Sequence, residues 1–525
     1  MIKKNNWFLL AVILVYLTWS AVYIYRMSYI ALDGQRYFSL GDDAFISMRY
    51  AWNLSHGDGL VWNAGEYVEG YTNLLMTLVM ALATGLFEKK LAALVIQLLG
   101  VPTVLAIAFL TRRLAQRLYA ASPWLADLAF AGTLLYFPLS FWPLIGMETG
   151  LLTLLTLAGL LLAVEWRANR QPRTLGWMAV CLGLAFLTRN DGLIFAPLVF
   201  ALVFLAWWPK KDRAELRAIL AAGLLLGLFV VAQEVFRLWY YGELLPNTYT
   251  LKVSGVPLSL KLRWGWKFVA PFFPQAVFCL ALAVFELVRG RGKNLLLGFF
   301  LALALAYQVW VGGDAWPEWR ILQPAMPLLF ILAAAGSLAL ARWLAERLGG
   351  AAVQRAGGLA LVIILLNAWF LNLPFRSYFD FSTDDVQAFH NAHNTNLALA
   401  IQAVTGPEAT LGVFWAGALP YYADRRAIDF LGKSDKYIAS LPAHLYMPIP
   451  GHNKFDLAYS IRKLQPTYIQ DFEWAKENLR PWVVQHYQRL NYVTPQGDIT
   501  LILKTSDPAV DWSRGTLLPW ASVEP

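Results

Sequence analysis

Apolar runs long enough to cross a bilayer recur along this 525-residue chain, and they leave few folds open to it. Stretches of about 18 or more largely uncharged residues occur near 7–27, 92–111, 123–142, 149–165, 216–235, 268–288, 294–311, 321–342 and 357–373. Between the fourth and fifth, residues 174–208 are apolar except for TRNDG (Thr188 to Gly192), which reads as a tight polar turn joining two spans. The expected count is therefore eleven. With 58% hydrophobic and 15% charged residues, the chain carries more apolar side chain than a soluble domain can bury, and it reads as a polytopic α-helical membrane protein. The opening MIKKNN with its long apolar run and no small-residue cleavage site reads as a retained signal anchor.

One further apolar stretch, Leu74 to Phe87, is short, and basic residues decide its placement because every extra crossing inverts the chain beyond it. If it spans, Arg112, Arg113, Arg117, Lys210, Lys211, Arg213, Arg217, Arg289, Arg291 and Lys293 all fall outside. If it lies along the outer leaflet as a juxtamembrane helix, those residues become cytoplasmic. The second arrangement puts GDDAF (Gly41 to Phe45), GMETG (Gly146 to Gly150), TRNDG, NTYTLK (Asn247 to Lys252) and VGGDAWPEWR (Val311 to Arg320) on one extracytoplasmic face. After Pro374, charges, His and Asn become frequent. The runs Thr410 to Tyr422 and Asp498 to Lys504 read as strands, giving a C-terminal soluble α/β domain. The expected organisation is a membrane domain over 1–373, with a catalytic outer loop at 28–91, followed by an extracytoplasmic domain over 374–525.

Several function classes drop out. The net charge of +9 sits in short runs between apolar segments, where it orients spans, so nucleic acid is not an expected partner. The two cysteines, Cys181 and Cys279, both lie in apolar segments and offer no disulfide framework. The six His show no paired-ligand spacing, so no zinc site is expected. Walker and dinucleotide glycine motifs are missing.

The outer-face motifs carry the chemistry. Asp42 and Asp43 suit a base that takes the proton of an attacking hydroxyl, and they equally suit a helix start at Ala44. Arg49, Arg189, Lys252 and Arg320 are the outer-face cations that can meet a lipid phosphate; snorkelling to the headgroups is the plain alternative. Arg189 and Asp191 occupy a turn so short that they either act on a ligand or neutralise each other. Asp314 either orients a donor, binds a divalent cation, or pairs with Arg320. Trp52, Trp62, Tyr67 and Tyr71 suit either sugar stacking or an interfacial belt.

An N-terminal span, an outer loop opening with DD, a juxtamembrane helix, many further spans and an external C-terminal domain resemble the GT-C superfamily of polyprenyl-phosphate-sugar glycosyltransferases. The motif from Gly41 to Asn73, VGGDAWPEWR, and GVFWAGALPYYADRRAIDFLGKSDKYIA (Gly412 to Ala439) are similar to one branch of it. That branch holds the mycobacterial terminal β-1,2 arabinofuranosyltransferases and the pilin arabinosyltransferases. The second motif departs from the pattern, because AWPEW separates GGD from Arg320.

The resemblance implies a bacterial inner-membrane enzyme of cell-envelope biogenesis, with Asp42 and Asp43 as the catalytic acidic pair. It implies a decaprenyl- or undecaprenyl-phospho-arabinofuranose donor and a glycan or pilin-type acceptor. Donor phosphate would meet Arg49, Arg189, Lys252 and Arg320; substrate would meet His56, Glu69, Tyr71, Asn73, Glu148, Asp191 and Asp314. Transfer of another polyprenyl-linked sugar, transport of a lipid-linked saccharide, and a non-catalytic envelope scaffold are the competing readings. A transporter would gather its charges near mid-bilayer rather than at one surface.

Overall fold

In the computed structural model, residues 2–120, 122–290, 294–348, 362–363, 365–380 and 386–520 are described. Six helices among them are long and apolar enough to cross a membrane: Trp7–Arg26, Lys89–Leu118, Thr149–Asn169, Asn190–Trp207, Arg213–Tyr241 and Arg320–Leu344. Two bent pairs bring the number to eight if each counts as one span, and Leu74–Leu86, Pro172–Thr188 and Leu295–Trp310 are shorter apolar helices. Part of the expected span at 357–373 lies outside the described residues.

The bends have readable causes. The expected run 123–142 is two helices, Trp124–Leu134 and Phe137–Leu144, meeting at 51°. Pro138 has no N–H to donate, and its ring would collide with the Leu134 carbonyl in a continuous helix. That carbonyl accepts instead from Ser140 Oγ at 3.2 Å, while Asn372 accepts from Phe137 N at 2.8 Å and donates to the Leu135 carbonyl at 3.0 Å. The run 268–288 is likewise broken by 80°, just after Pro271 and Pro274.

The chain divides into two compact units. The first comprises residues 1–23, 98–236 and 257–383. Its core helix, Arg320–Leu344, is buried over 83% of its apolar window, against 17% for Arg213–Tyr241. On the latter, Leu220, Leu224, Leu228, Val231 and Val235 recur every three or four residues and stay exposed, a continuous apolar face suited to hydrocarbon.

The second unit is assembled from residues 24–97, 237–256 and 384–525. It opens with a short hairpin, β1 (Ser28–Ile30) against β2 (Arg36–Phe38). The helices α1 (Asp42–Ser55) and α2 (Leu74–Leu86) follow. At 13 residues α2 is about 20 Å long, too short for a hydrocarbon core of about 30 Å. A six-stranded mixed sheet completes the unit, built from β3 (Thr410–Val413), β4 (Arg426–Asp429), β5 (Tyr468–Ile469), β6 (Tyr487–Thr494), β7 (Gly497–Lys504) and β8 (Thr516–Leu518). Their order is β4-β3-β5-β7-β6-β8, with β3 parallel to both neighbours and the remaining pairs antiparallel. Ile428, Phe430, Ile461, Ile469, Val483 and Tyr487 form its core.

The run read as a strand from Thr410 to Tyr422 is strand only to Val413; residues Ala418–Ala423 are helical. The alternation that suggested a strand is interrupted by Gly417 and Pro420, and all six helical residues are buried. The expected strand at Asp498 to Lys504 lies within β7.

Candidate active site

The acidic pair occupies the first turn of α1, whose N-cap is Gly41. Asp42, only 4% exposed, turns to the helix Ala418–Ala423 and accepts from its first N–H groups, Gly417 N at 3.2 Å and Ala418 N at 3.1 Å. The approach needs glycine: a Cβ on Gly417 would stand 2.1 Å from the Asp42 carbonyl oxygen and 2.6 Å from Oδ1. Burial pushes the Asp42 carboxyl up to about 6, with Lys433 and the two N–H groups pulling the other way.

Asp43 has a different partner. Its Oδ1 accepts from Lys433 Nζ at 2.7 Å, and the two side chains are 21% and 12% exposed. Lys433 is aimed by the end of β4. Asp429, buried, accepts from Leu431 N at 3.0 Å and Ser434 N at 2.8 Å, which folds Phe430–Ser434 into a turn. Gly432 supplies the left-handed residue at φ +76°. Asn247 Nδ2 donates to the Gly432 and Lys433 carbonyls, each at 2.9 Å. Burial disfavours the Lys433 ammonium, but the fields of Asp43 and Asp42 outweigh it and its pKa is raised. The lysine is therefore charged at neutral pH, with three N–H donors of which Asp43 takes one.

Arg49 lies about two turns along α1, and its guanidinium is spent inside the protein. Nε donates to the Trp62 carbonyl at 2.6 Å, Nη2 to Asn63 Oδ1 at 2.9 Å and to the Arg425 carbonyl at 2.8 Å, and Nη1 to the Pro420 carbonyl. It also stacks over the Trp62 ring. Asn63 extends the clasp by exchanging hydrogen bonds with Ala427 of β4 at 2.8 and 3.1 Å. Arg49 was expected to meet a phosphate; here it ties the loop after α1 to the segment before β4.

The other expected residues of this unit are distributed around that clasp. Glu69 is buried in a two-point pair with Arg237, at 2.5 and 3.2 Å. Tyr71 packs edge-on against Tyr50, and Asn73 Oδ1 accepts from Ser47 at 2.9 Å and Thr77 at 3.1 Å. His56 stacks on Trp52 at the exposed end of α1. The Lys252 side chain lies across Gly451.

The remaining five fall in the first unit. Arg189 donates to Glu148 at 2.6 Å and to both oxygens of Asp191 at 2.9 and 2.8 Å, and Tyr307 donates to Asp191 at 3.1 Å. Asp314 takes a two-point pair from Arg320 at 2.6 and 2.9 Å and also accepts from Ala315 N. These are the neutralising alternatives read for both motifs. Among the described residues no three His, Cys, Asp or Glu side chains are grouped to hold a metal ion.

Sequence reasoning missed Lys433; it marked Asp429, with Asp424, Arg425 and Arg426, as an ion-pair network or an acceptor-binding segment. The available signal was the motif Gly412 to Ala439, in which IDFLGKSD places an acid four residues before a lysine.

The fold is that of the GT-C glycosyltransferases of known structure. Superposed on ArnT from Cupriavidus metallidurans in the apo state, the chain gives a TM-score of 0.57 at 16% identity, over 95% of this chain and 98% of that one. The same protein bound to undecaprenyl phosphate gives 0.55 at 16% identity, over 96% and 99%. The archaeal oligosaccharyltransferase AglB from Archaeoglobus fulgidus, in complex with an inhibitory peptide and a dolichol-phosphate, gives 0.53 at 11% identity, over 96% and 75%.

In sequence, the chain is 30% identical over 222 residues to the terminal beta-(1->2)-arabinofuranosyltransferase of Mycobacterium tuberculosis, covering 40% of this chain. The matched part spans about a third, 34%, of that relative's length. Residues 384–510 match a domain of unknown function (DUF8728). The resemblance to GT-C transferases, drawn from the motifs, stands.

Proposed function

We propose that this protein is a membrane glycosyltransferase. It moves a sugar, D-arabinofuranose, from a polyprenyl-phosphate donor to an envelope glycan or protein acceptor on the extracytoplasmic face of the bacterial inner membrane. The observation that carries the reading is the Asp43–Lys433 pair beside a buried Asp42, in a chain of GT-C fold. The choice of arabinofuranose rests on the mycobacterial relative, and the polyprenyl carrier is supported by the lipid phosphates bound to ArnT and AglB.

In this scheme Asp43, the more exposed carboxylate, is the base. The acceptor hydroxyl gives its proton to Asp43 as its oxygen bonds to the anomeric carbon; the bond from that carbon to the phosphate oxygen breaks, and its electron pair leaves on the polyprenyl phosphate. Lys433 counters the phosphate charge with the donors that Asp43 leaves open. Asp42 holds the helix Ala418–Ala423 in register and makes no contact with the reacting atoms in this scheme. Lys433 replaces Arg49 as the phosphate ligand, because the Arg49 donors are spent on carbonyls.

The test is transfer of labelled sugar from a synthetic polyprenyl-phospho-arabinofuranose by membranes carrying the wild type or Asp43→Asn. The variant is expected to lose activity by ~10²-fold or more. Transfer that survives the change removes Asp43 as the base.

A further inference from the structure

The proposed chemistry leaves several buried polar groups of the same unit unused. The helix Asn247–Val253, which fixes the Lys433 backbone through Asn247, also carries the loop Gly451–Lys454. Lys252 crosses Gly451, where an added Cβ would come within 3.2 Å of Cε. Lys454 Nζ donates to the Thr250 carbonyl at 2.9 Å, Ser254 Oγ at 3.0 Å and the Ala439 carbonyl at 2.8 Å. Its three N–H groups are thereby consumed in holding loop to helix. His452, between these anchors, is close enough to Lys433, Asp43 and Lys252 to feel all three charges; burial, then Lys433, hold its imidazole down to about 4.

Asn453 follows, 1% exposed, and neither its Nδ2 nor its Oδ1 has a hydrogen-bond partner among the described residues. Thr248 is 4% exposed and its Oγ1 also lacks one. It sits one turn before Lys252, on the same face of the helix. Buried amides and hydroxyls are nearly always paired in folded proteins, by protein, water or a ligand. Here the orphaned groups are neutral and both donate and accept; Thr248 shares its helix with Lys252, and Asn453 directly follows His452, which feels the charges of Lys252 and Lys433. That is the complement of a hydroxylated ring carrying a phosphate: the lysines suit the phosphate, and the amide and hydroxyl suit the ring hydroxyls.

The geometry points to Asn453 and Thr248 as the side chains that recognise the ring hydroxyls of the donor sugar and so set which sugar is transferred. This rests on the glycosyl-donor reading given above. The experiment measures binding of two lipids of equal chain length, a polyprenyl phosphate and the polyprenyl-phospho-arabinofuranose, to the full chain in nanodiscs. The wild type is expected to bind the phospho-sugar more tightly than the bare phosphate. Asn453→Ala and the near-isosteric Thr248→Val should each weaken the phospho-sugar by about tenfold and leave the bare phosphate unchanged. Equal binding of both lipids by the wild type, or parallel loss of both in either variant, overturns the assignment and leaves the donor reading intact. Failure of the wild type to bind either lipid overturns the donor reading itself.

Discussion

Lys433 Nζ stands 2.7 Å from Asp43 Oδ1 across 390 residues of sequence, and both side chains are largely withdrawn from water. Removing one member of a buried ion pair leaves the other charge less well compensated, which costs about 3 kcal/mol. Lys433→Met leaves Asp43, Asp42 and Asp429 without their shared cation. We expect an apparent unfolding midpoint several degrees lower in detergent, together with loss of transfer. Asp43→Asn, which keeps an acceptor for the lysine, should lose transfer with a much smaller shift in midpoint.

Asp42 gives a pH signature of defined sign. Its carboxyl is raised from the ordinary 3.8 to about 6, so between those values the folded chain holds a proton that the unfolded chain has released. Stability therefore falls as pH rises through this window, by roughly 3 kcal/mol for this group. Asp42→Asn cannot titrate and still offers an acceptor to Gly417 or Ala418. Midpoints recorded from pH 4 to 7 should decline less steeply for the variant than for the wild type; parallel curves would show that Asp42 does not titrate there.

Arg49→Lys should behave as a folding defect. A lysine cannot span the Trp62, Arg425 and Pro420 carbonyls and Asn63 together, and the buried acceptors left over cost about 3 kcal/mol or more in sum. Limited proteolysis should find faster cleavage between residues 412 and 439 in the variant. Normal protection with a selective loss of lipid-phosphate binding would restore Arg49 to the donor site.

Gly417→Ala tests the helix cap by sterics alone. The new methyl would collide with the Asp42 carbonyl and Oδ1, and overpacking of this kind costs about 3 kcal/mol at its upper range. A lowered midpoint is expected, and because the displaced group is Asp42, the pH dependence of stability between 4 and 6 should flatten with it. A variant as stable as the wild type would mean that the Asp42 cap is dispensable.

How much of this was legible follows the range of each interaction. Hydropathy located the apolar helices and the short Leu74–Leu86, because those signals are local. It did not show that 123–142 bends, since averaging over a window conceals the single missing N–H of Pro138. The DD motif was visible as chemistry, but the partner of each carboxylate was not: Gly417, Ala418 and Lys433 lie about 375 to 390 residues away. Arg49 read as a phosphate ligand because a cation near a membrane surface usually has phosphate within reach; that its partners are carbonyls is a tertiary fact. Gly412 to Ala439 carried both the resemblance and the lysine, and the lysine was not read from it.

The three-part assembly of the second unit has a consequence for biosynthesis. While a ribosome is still threading the early helices into the bilayer, Asp43 is already made, and the lysine that neutralises it has yet to be translated. A nascent chain halted anywhere before residue 433 thus cannot form the pair. Formation of the pair is thereby postponed until the chain around IDFLGKSD has left the ribosome.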